Sequence, residues 1–198
     1  MIVAENVSVE LGGREVLKDV SLKLEKGRYW VRGPNGAGKT VLLKTLAFLI
    51  RPKKGKVTAF GKEDARGEVV YVPPSPAVLR GTVEDNLLFG IKILGKGDPY
   101  EAAEALGIGN LLKRKAKELS SGQRALVALA RALAVKPRAL LVDETLSYLD
   151  EENKKLALEA LEDVEILAVA SHFPLEGFKV IRVKDGRAYF DSSLTQNI

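Results

Sequence analysis

Gly33-Pro34-Asn35-Gly36-Ala37-Gly38-Lys39-Thr40 fits the pattern G-x-x-x-x-G-K-[ST], and it stands between two apolar runs. The first, Tyr29-Trp30-Val31, has the composition of a buried strand. The second, Val41-Leu42-Leu43 with Leu46, Ala47, Leu49 and Ile50, has the content of a buried helix. Strand, glycine-rich turn and helix in that order form a phosphate cradle. Glycines 33, 36 and 38 let the backbone turn inward so that successive N–H groups face phosphate oxygens. Lys39 is set to reach the β- and γ-phosphates and Thr40 to ligate Mg²⁺, while the helix adds its positive N-terminal end. A glycine-rich hairpin followed by a surface lysine would lack these apolar flanks.

The acids that such a cradle needs are found downstream. Ala139-Leu140-Leu141-Val142-Asp143-Glu144 is an apolar strand ending in two carboxylates, as expected at the carboxyl edge of a parallel sheet. Asp143 is expected to hold hydrated Mg²⁺ and Glu144 to polarise an attacking water, because phosphoryl transfer asks for positioning and charge rather than covalent chemistry. His172 follows a second apolar run, Ile166-Leu167-Ala168-Val169-Ala170, and is expected on the same sheet edge as a γ-phosphate contact. Leu119-Ser120-Ser121-Gly122-Gln123 opens a helix with apolar Leu126, Leu129, Ala130 and Leu133. Ser120 and Gln123 fit a capping box, and a helix start with small residues is equally a phosphate-binding surface.

The 198 residues amount to one domain, or one domain with a small lobe, and 46% apolar content suffices for a core. Cysteine is absent and histidine single, which excludes disulfides, thiolate metal sites and histidine-cluster metal sites. Lys+Arg number 31 against 26 Asp+Glu, but both signs are spread along the chain without a block, so nucleic acid is not expected as a partner. The longest apolar stretch, Val41 to Ile50, is interrupted by Lys44 and too short to span a bilayer, and Met1 to Glu5 lacks the basic start of a signal peptide. A soluble, unsecreted chain is expected. The charged content of 29%, one Met and only two glutamines resemble the thermophile bias toward Lys and Glu.

The expected fold is α/β, with a mainly parallel sheet core, an N-terminal antiparallel β subdomain and a small helical lobe at about 76–119. The strands predicted first are 7–11, 20–24, 29–32, 56–60 and 68–72, followed by the breaker Pro73-Pro74-Ser75-Pro76. Helical spacing covers 82–94, 100–106 and 109–116, then a charged helix over 151–163 between parallel strands 139–142 and 165–170. A hairpin around Asp185-Gly186 joins 180–183 to 187–190.

These pieces, in this order, resemble the ATP-binding subunit of an ABC (ATP-binding cassette) transporter of compact bacterial or archaeal type, across nearly the whole chain as one P-loop ATPase domain. Gly33 to Thr40 resembles Walker A, Leu119 to Gln123 the LSGGQ signature with Ser121 for one Gly, and Leu140 to Glu144 Walker B with its catalytic Glu. Ser147 to Asp150 resembles the D-loop and His172 the switch histidine. The resemblance implies ATP and Mg²⁺ as cofactors and a head-to-tail dimer in which one subunit's Walker A and the other's Ser120, Ser121, Gly122 and Gln123 sandwich ATP. It also implies separate integral membrane permease subunits docked on the lobe and a peripheral place on the cytoplasmic face of the membrane. Leu87, Leu88, Phe89 and Ile91 are candidates for that contact and equally for the core of the lobe, the reading expected for most of them.

Departures accompany the matches. Pro74 stands where the family carries the Q-loop glutamine, and the chain's glutamines, Gln123 and Gln196, lie elsewhere, so slow turnover is expected. Leu11 replaces the adenine-stacking aromatic, leaving aliphatic contact by Leu11 and Val16. Thr145-Leu146 replaces Pro-Thr after Glu144. A soluble ABC ATPase of an assembly complex, such as iron–sulfur cluster biogenesis, has the same motifs. Repair or translation members carry coiled-coil insertions or a second cassette, absent here, and a P-loop kinase would leave Glu144 and the signature without a purpose.

Overall fold

Polar residues on one side and apolar residues on the other divide the first strands between solvent and core. In the computed structural model, which describes residues 1–191, β1 (Ile2–Leu11) and β2 (Arg14–Leu24) form an antiparallel hairpin, and β4 (Lys54–Ala59) pairs with the other edge of β1. Both hairpin strands are longer than their apolar segments predict. Register shifts after Ala4 and Val7, with positive φ at Asn6 and Asp19, break the strict alternation by which a strand is read from sequence. Gln196 lies outside the described residues.

A second sheet of six strands carries the centre of the molecule, in the order β5 (Val69–Val72), β6 (Ala139–Asp143), β7 (Ile166–Ala170), β3 (Gly27–Arg32), β8 (Lys179–Lys184) and β9 (Arg187–Phe190). The first five run parallel, and β9 returns antiparallel as the predicted hairpin. Every residue of β6 and β7 is buried, which is why both read as unbroken apolar runs.

Each face of this sheet is covered. On one side lie α1 (Lys39–Leu46) and the three-stranded antiparallel sheet, packed on Ala139, Leu141, Ala168, Ala170 and Val31. On the other lie α4 (Ser121–Leu133) and α5 (Glu151–Ala160), against Leu140, Val142, Leu167 and Val169. The chain is thus an α/β P-loop fold with a largely parallel core, an antiparallel subdomain and a helical lobe.

The lobe is built from α2 (Val83–Leu94) and α3 (Pro99–Ala105), both resting on α4. Thr82 and Asp85 close a reciprocal capping box at the start of α2, and Asp98 caps α3 ahead of Pro99 at its first turn. Two predictions need correction. Residues 109–116 are not a helix but two short 3₁₀ turns, Gly109–Leu111 and Ala116–Glu118, because only isolated apolar residues there, such as Leu111 and Ala116, reach the core. Helix α1 stops at Leu46, where the chain turns through Phe48 with φ 61°, and Leu49 is left exposed. Of the apolar set on α2, Leu87 is fully buried in the lobe core, as expected for most of it, while Leu88 and Ile91 are half-buried and Phe89 is exposed.

Candidate active site

The glycine-rich turn leaves β3 at the centre of the sheet and enters α1 through Gly38, whose φ of 108° no L side chain adopts without strain. At Gly33 the constraint is space: a Cβ would stand 2.1 Å from the carbonyl oxygen of Val183 on β8. The loop therefore lies flush against the neighbouring strand. Pro34, Asn35 and Gly36 are exposed, Ala37 and Gly38 are buried beneath them, and Thr40 is half-buried in the first turn of α1. Lys39 is buried, and its Nζ donates to the Gly33 carbonyl at 2.9 Å, folding the side chain back over the loop.

Strands β6 and β7 bring the candidate acids and His172 to the same edge. Asp143 pairs in register with Ala170, and the Glu144 N–H donates to the Ala170 carbonyl at 2.9 Å. Glu144 has φ 53°, an uncommon conformation for a residue other than glycine and one that clusters at functional sites. Its Oε1 lies 3.5 Å from Lys39 Nζ and 3.3 Å from His172 Nε2, and neither of its buried oxygens has a hydrogen-bond partner among the described residues. Two groups of potential positive charge thus converge on a carboxylate with free lone pairs, an arrangement able to accept a proton from a water.

Asp143 is fully buried. Its Oδ2 accepts from the Tyr71 hydroxyl at 2.9 Å, while Oδ1 has no partner among the described residues. An orphaned, buried carboxylate oxygen close to a phosphate cradle fits the needs of Mg²⁺, which takes one or two protein oxygens and completes its shell with water and phosphate. Thr40 and Asp143 are the residues that would hold it.

Trp30 and Arg32 extend the site on the other side of the loop. The Trp30 indole donates to the Ser171 carbonyl at 3.2 Å, and the Arg32 guanidinium lies 5.0 Å from the indole centroid. With Gly33, Pro34, His172 and Lys184 they line a cavity of about 290 Å³. Val16 lies beside the same loop, since a Cβ on Gly38 would meet its carbonyl oxygen at 3.4 Å and its Cγ1 at 3.7 Å. Leu11, expected with it at an adenine contact, is exposed at the end of the β1–β2 hairpin.

Ser120 to Gln123, at the start of α4, make no hydrogen bond or ion pair with this cluster among the described residues. Ser120 Oγ accepts from the Gln123 N–H and Gln123 Oε1 accepts from the Ser120 N–H, so the capping box is real and each side chain closes on the other residue's backbone. Ser121 is exposed, and a Cβ on Gly122 would lie 3.2 Å from the Tyr148 carbonyl oxygen. Asp150 caps α5, accepting from the Asn153 N–H at 2.8 Å, and that hydrogen bond is the main reason its carboxyl is held below the usual range.

Two residues of the site were not anticipated. Tyr71 holds Asp143, and its phenol is pushed well above its usual value, first by burial and then by that hydrogen bond. Its signal was a lone hydroxyl in the strand Val69-Val70-Tyr71-Val72. Thr145, fully buried, donates to the Pro73 carbonyl at 2.8 Å and ties the proline segment to the end of β6. The register Val72↔Val142 carries Pro73 and Pro74 toward the edge where Asp143 and Glu144 emerge.

Comparison with known proteins gives a consistent result. The family profile described as ABC transporter matches residues 17–147. A molybdate/tungstate import ATP-binding protein, WtpC of Thermococcus kodakarensis, is 40% identical over 70% of this chain and 46% of its own length. Its counterpart from Pyrococcus horikoshii is 38% identical over 78% of this chain and 48% of its own. The chain thus spans about half the length of these two relatives. The dimeric structure of MJ0796, a bacterial ABC transporter cassette, is 25% identical and superposes with a TM-score of 0.82 over 94% of this chain and 96% of that one.

Proposed function

The chain belongs to the ABC transporter family, and from that membership we propose that it is an ATP-binding and ATP-hydrolysing subunit that drives a separate membrane permease. The observation that carries the proposal is Glu144 Oε1, set 3.5 Å from Lys39 Nζ and 3.3 Å from His172 Nε2. In this reading the N–H groups of Gly33 to Thr40 bind the phosphates, and Lys39 leaves Glu144 for the β- and γ-oxygens. Glu144 then accepts the proton of the attacking water, while His172 orients Glu144 and the terminal phosphate. Mg²⁺, held by Thr40 and Asp143, would draw charge from the phosphate oxygens.

Ser120, Ser121, Gly122 and Gln123 point to a second cassette. The side-chain hydrogen bonds of Ser120 and Gln123 are made within the start of α4 and none reaches the Lys39–Glu144 pair, which supports the use of this segment on the nucleotide of a partner subunit in a head-to-tail dimer. Light scattering of the Glu144→Gln protein with ATP tests this: a dimer is expected, and a persistent monomer at high concentration would leave a different cassette as partner.

No helix among the described residues is long and apolar enough to cross a membrane. From the family membership, the proposed permease is a separate polypeptide and this subunit sits on the cytoplasmic face. Exposed Phe89 and Ile93 on α2 are the apolar side chains we assign to that contact. Purification of the tagged chain from detergent-solubilised membranes checks it. Recovery with an integral membrane protein is expected. Recovery with soluble partners alone would overturn transport coupling in favour of an assembly ATPase.

A further inference from the structure

We propose that Tyr71 is a positioning residue that presents one chosen oxygen of Asp143 to the metal, an inference that rests on Asp143 being an Mg²⁺ ligand. The placement follows from strand register. Tyr71 pairs with Leu141 across the parallel β5–β6 ladder, so it lies on the α1 side of the sheet and diagonally next to Asp143. Its hydroxyl donates to Asp143 Oδ2 at 2.9 Å.

The chemistry of a buried aspartate makes this contact more than a satisfied polar pair. Rotation about the last torsion of Asp interconverts two equivalent oxygens through a broad, two-fold profile. Hydrogen bonding by Tyr71 removes that equivalence, leaving Oδ1 as the oxygen without a partner among the described residues. The backbone of Asp143 is restrained as well, since the N–H of the peptide that follows it, that of Glu144, donates to the Ala170 carbonyl at 2.9 Å. Tyr71 is itself steadied, with Lys44 Nζ 5.8 Å from its ring centroid. Partners that orient a ligating group in this way are worth about 10- to 100-fold in metal affinity.

Tyr71→Phe removes the donor and keeps the ring between β5 and Lys44, so the fold is retained. Calorimetric titration of ATP, once in EDTA and once in excess MgCl₂, gives the Mg²⁺-linked gain in affinity for wild type, Tyr71→Phe and Asp143→Asn. Tyr71→Phe is expected to leave ATP affinity in EDTA unchanged and to lower the Mg²⁺-linked gain by at least about 10-fold. A wild-type gain in Tyr71→Phe beside a reduced one in Asp143→Asn overturns the positioning role and spares the metal assignment. An unchanged gain in both variants overturns the metal assignment and this inference with it. A lower melting temperature in Tyr71→Phe with an unaltered gain identifies the contact as structural only and likewise overturns the proposal.

Discussion

Lys39 Nζ and Glu144 Oε1 lie 3.5 Å apart, with the lysine side chain 8% and the glutamate side chain 19% exposed, so the proposed phosphate cation and the proposed base neutralise one another across the sheet edge. An incoming phosphate must compete with Glu144 for this cation. The pairing holds both side chains in the site and makes nucleotide affinity depend on the carboxylate.

Removing either partner should therefore have opposite effects on binding. Lys39→Ala is expected to abolish tight ATP binding, because the β- and γ-oxygens lose their main cationic partner. Glu144→Gln frees Lys39 and is expected to tighten ATP binding roughly tenfold, about 1.4 kcal/mol, while lowering turnover by about 10²- to 10⁴-fold. Equilibrium ATP binding and steady-state hydrolysis measure both. Hydrolysis by Glu144→Gln at the wild-type rate would remove Glu144 from the mechanism.

His172 Nε2 approaches the same oxygen at 3.3 Å, and its side chain is 56% exposed. His172→Ala should cost little folding stability, since few contacts are buried, and should reduce turnover about 100-fold with ATP affinity within a fewfold of wild type. A matched pair of thermal melts and kinetic runs separates these effects. Equal loss of affinity and turnover would point instead to ground-state phosphate binding.

Gly33 is constrained by space, and a Cβ there would stand 2.1 Å from the Val183 carbonyl oxygen. Backbone cannot yield as a side chain can, so Gly33→Ala should destabilise the fold by about 1–3 kcal/mol and displace the cradle. Gly36 has open space around its Cβ position and φ 77°, so Gly36→Ala should cost only about 1–2 kcal/mol of backbone strain, without moving β8. Urea unfolding of the two variants tests the difference. Identical midpoints would show that the loop relaxes away from Val183.

Pro74 follows Pro73, whose carbonyl is held by Thr145, and it offers no polar side chain to the sheet edge. If a glutamine there would orient water, Pro74→Gln should raise turnover by up to roughly 100-fold while changing ATP affinity little, since oriented dipoles matter mainly in the transition state. Pro74→Ala controls for relaxation of the loop. Equal rates in wild type, Pro74→Ala and Pro74→Gln would make the position catalytically silent.

The sequence by itself determined the features that depend on neighbours along the chain. The cradle from Gly33 to Thr40, the buried runs that became β6 and β7, the cap at Ser120 and the β8–β9 hairpin all rest on spacings within one turn or one strand. Only the tertiary structure decided which side chains meet. Tyr71 and Asp143 are 72 residues apart, and their contact depends on β5 lying next to β6 with Tyr71 on the α1 side, an adjacency no local period encodes. The same holds for Lys39, Glu144 and His172, drawn from three segments onto one oxygen. Hydrophobic periodicity specifies which face of a strand is buried. The order of strands in the sheet specifies which polar groups at its edge share a site, because that order is selected by packing both faces of the sheet at once.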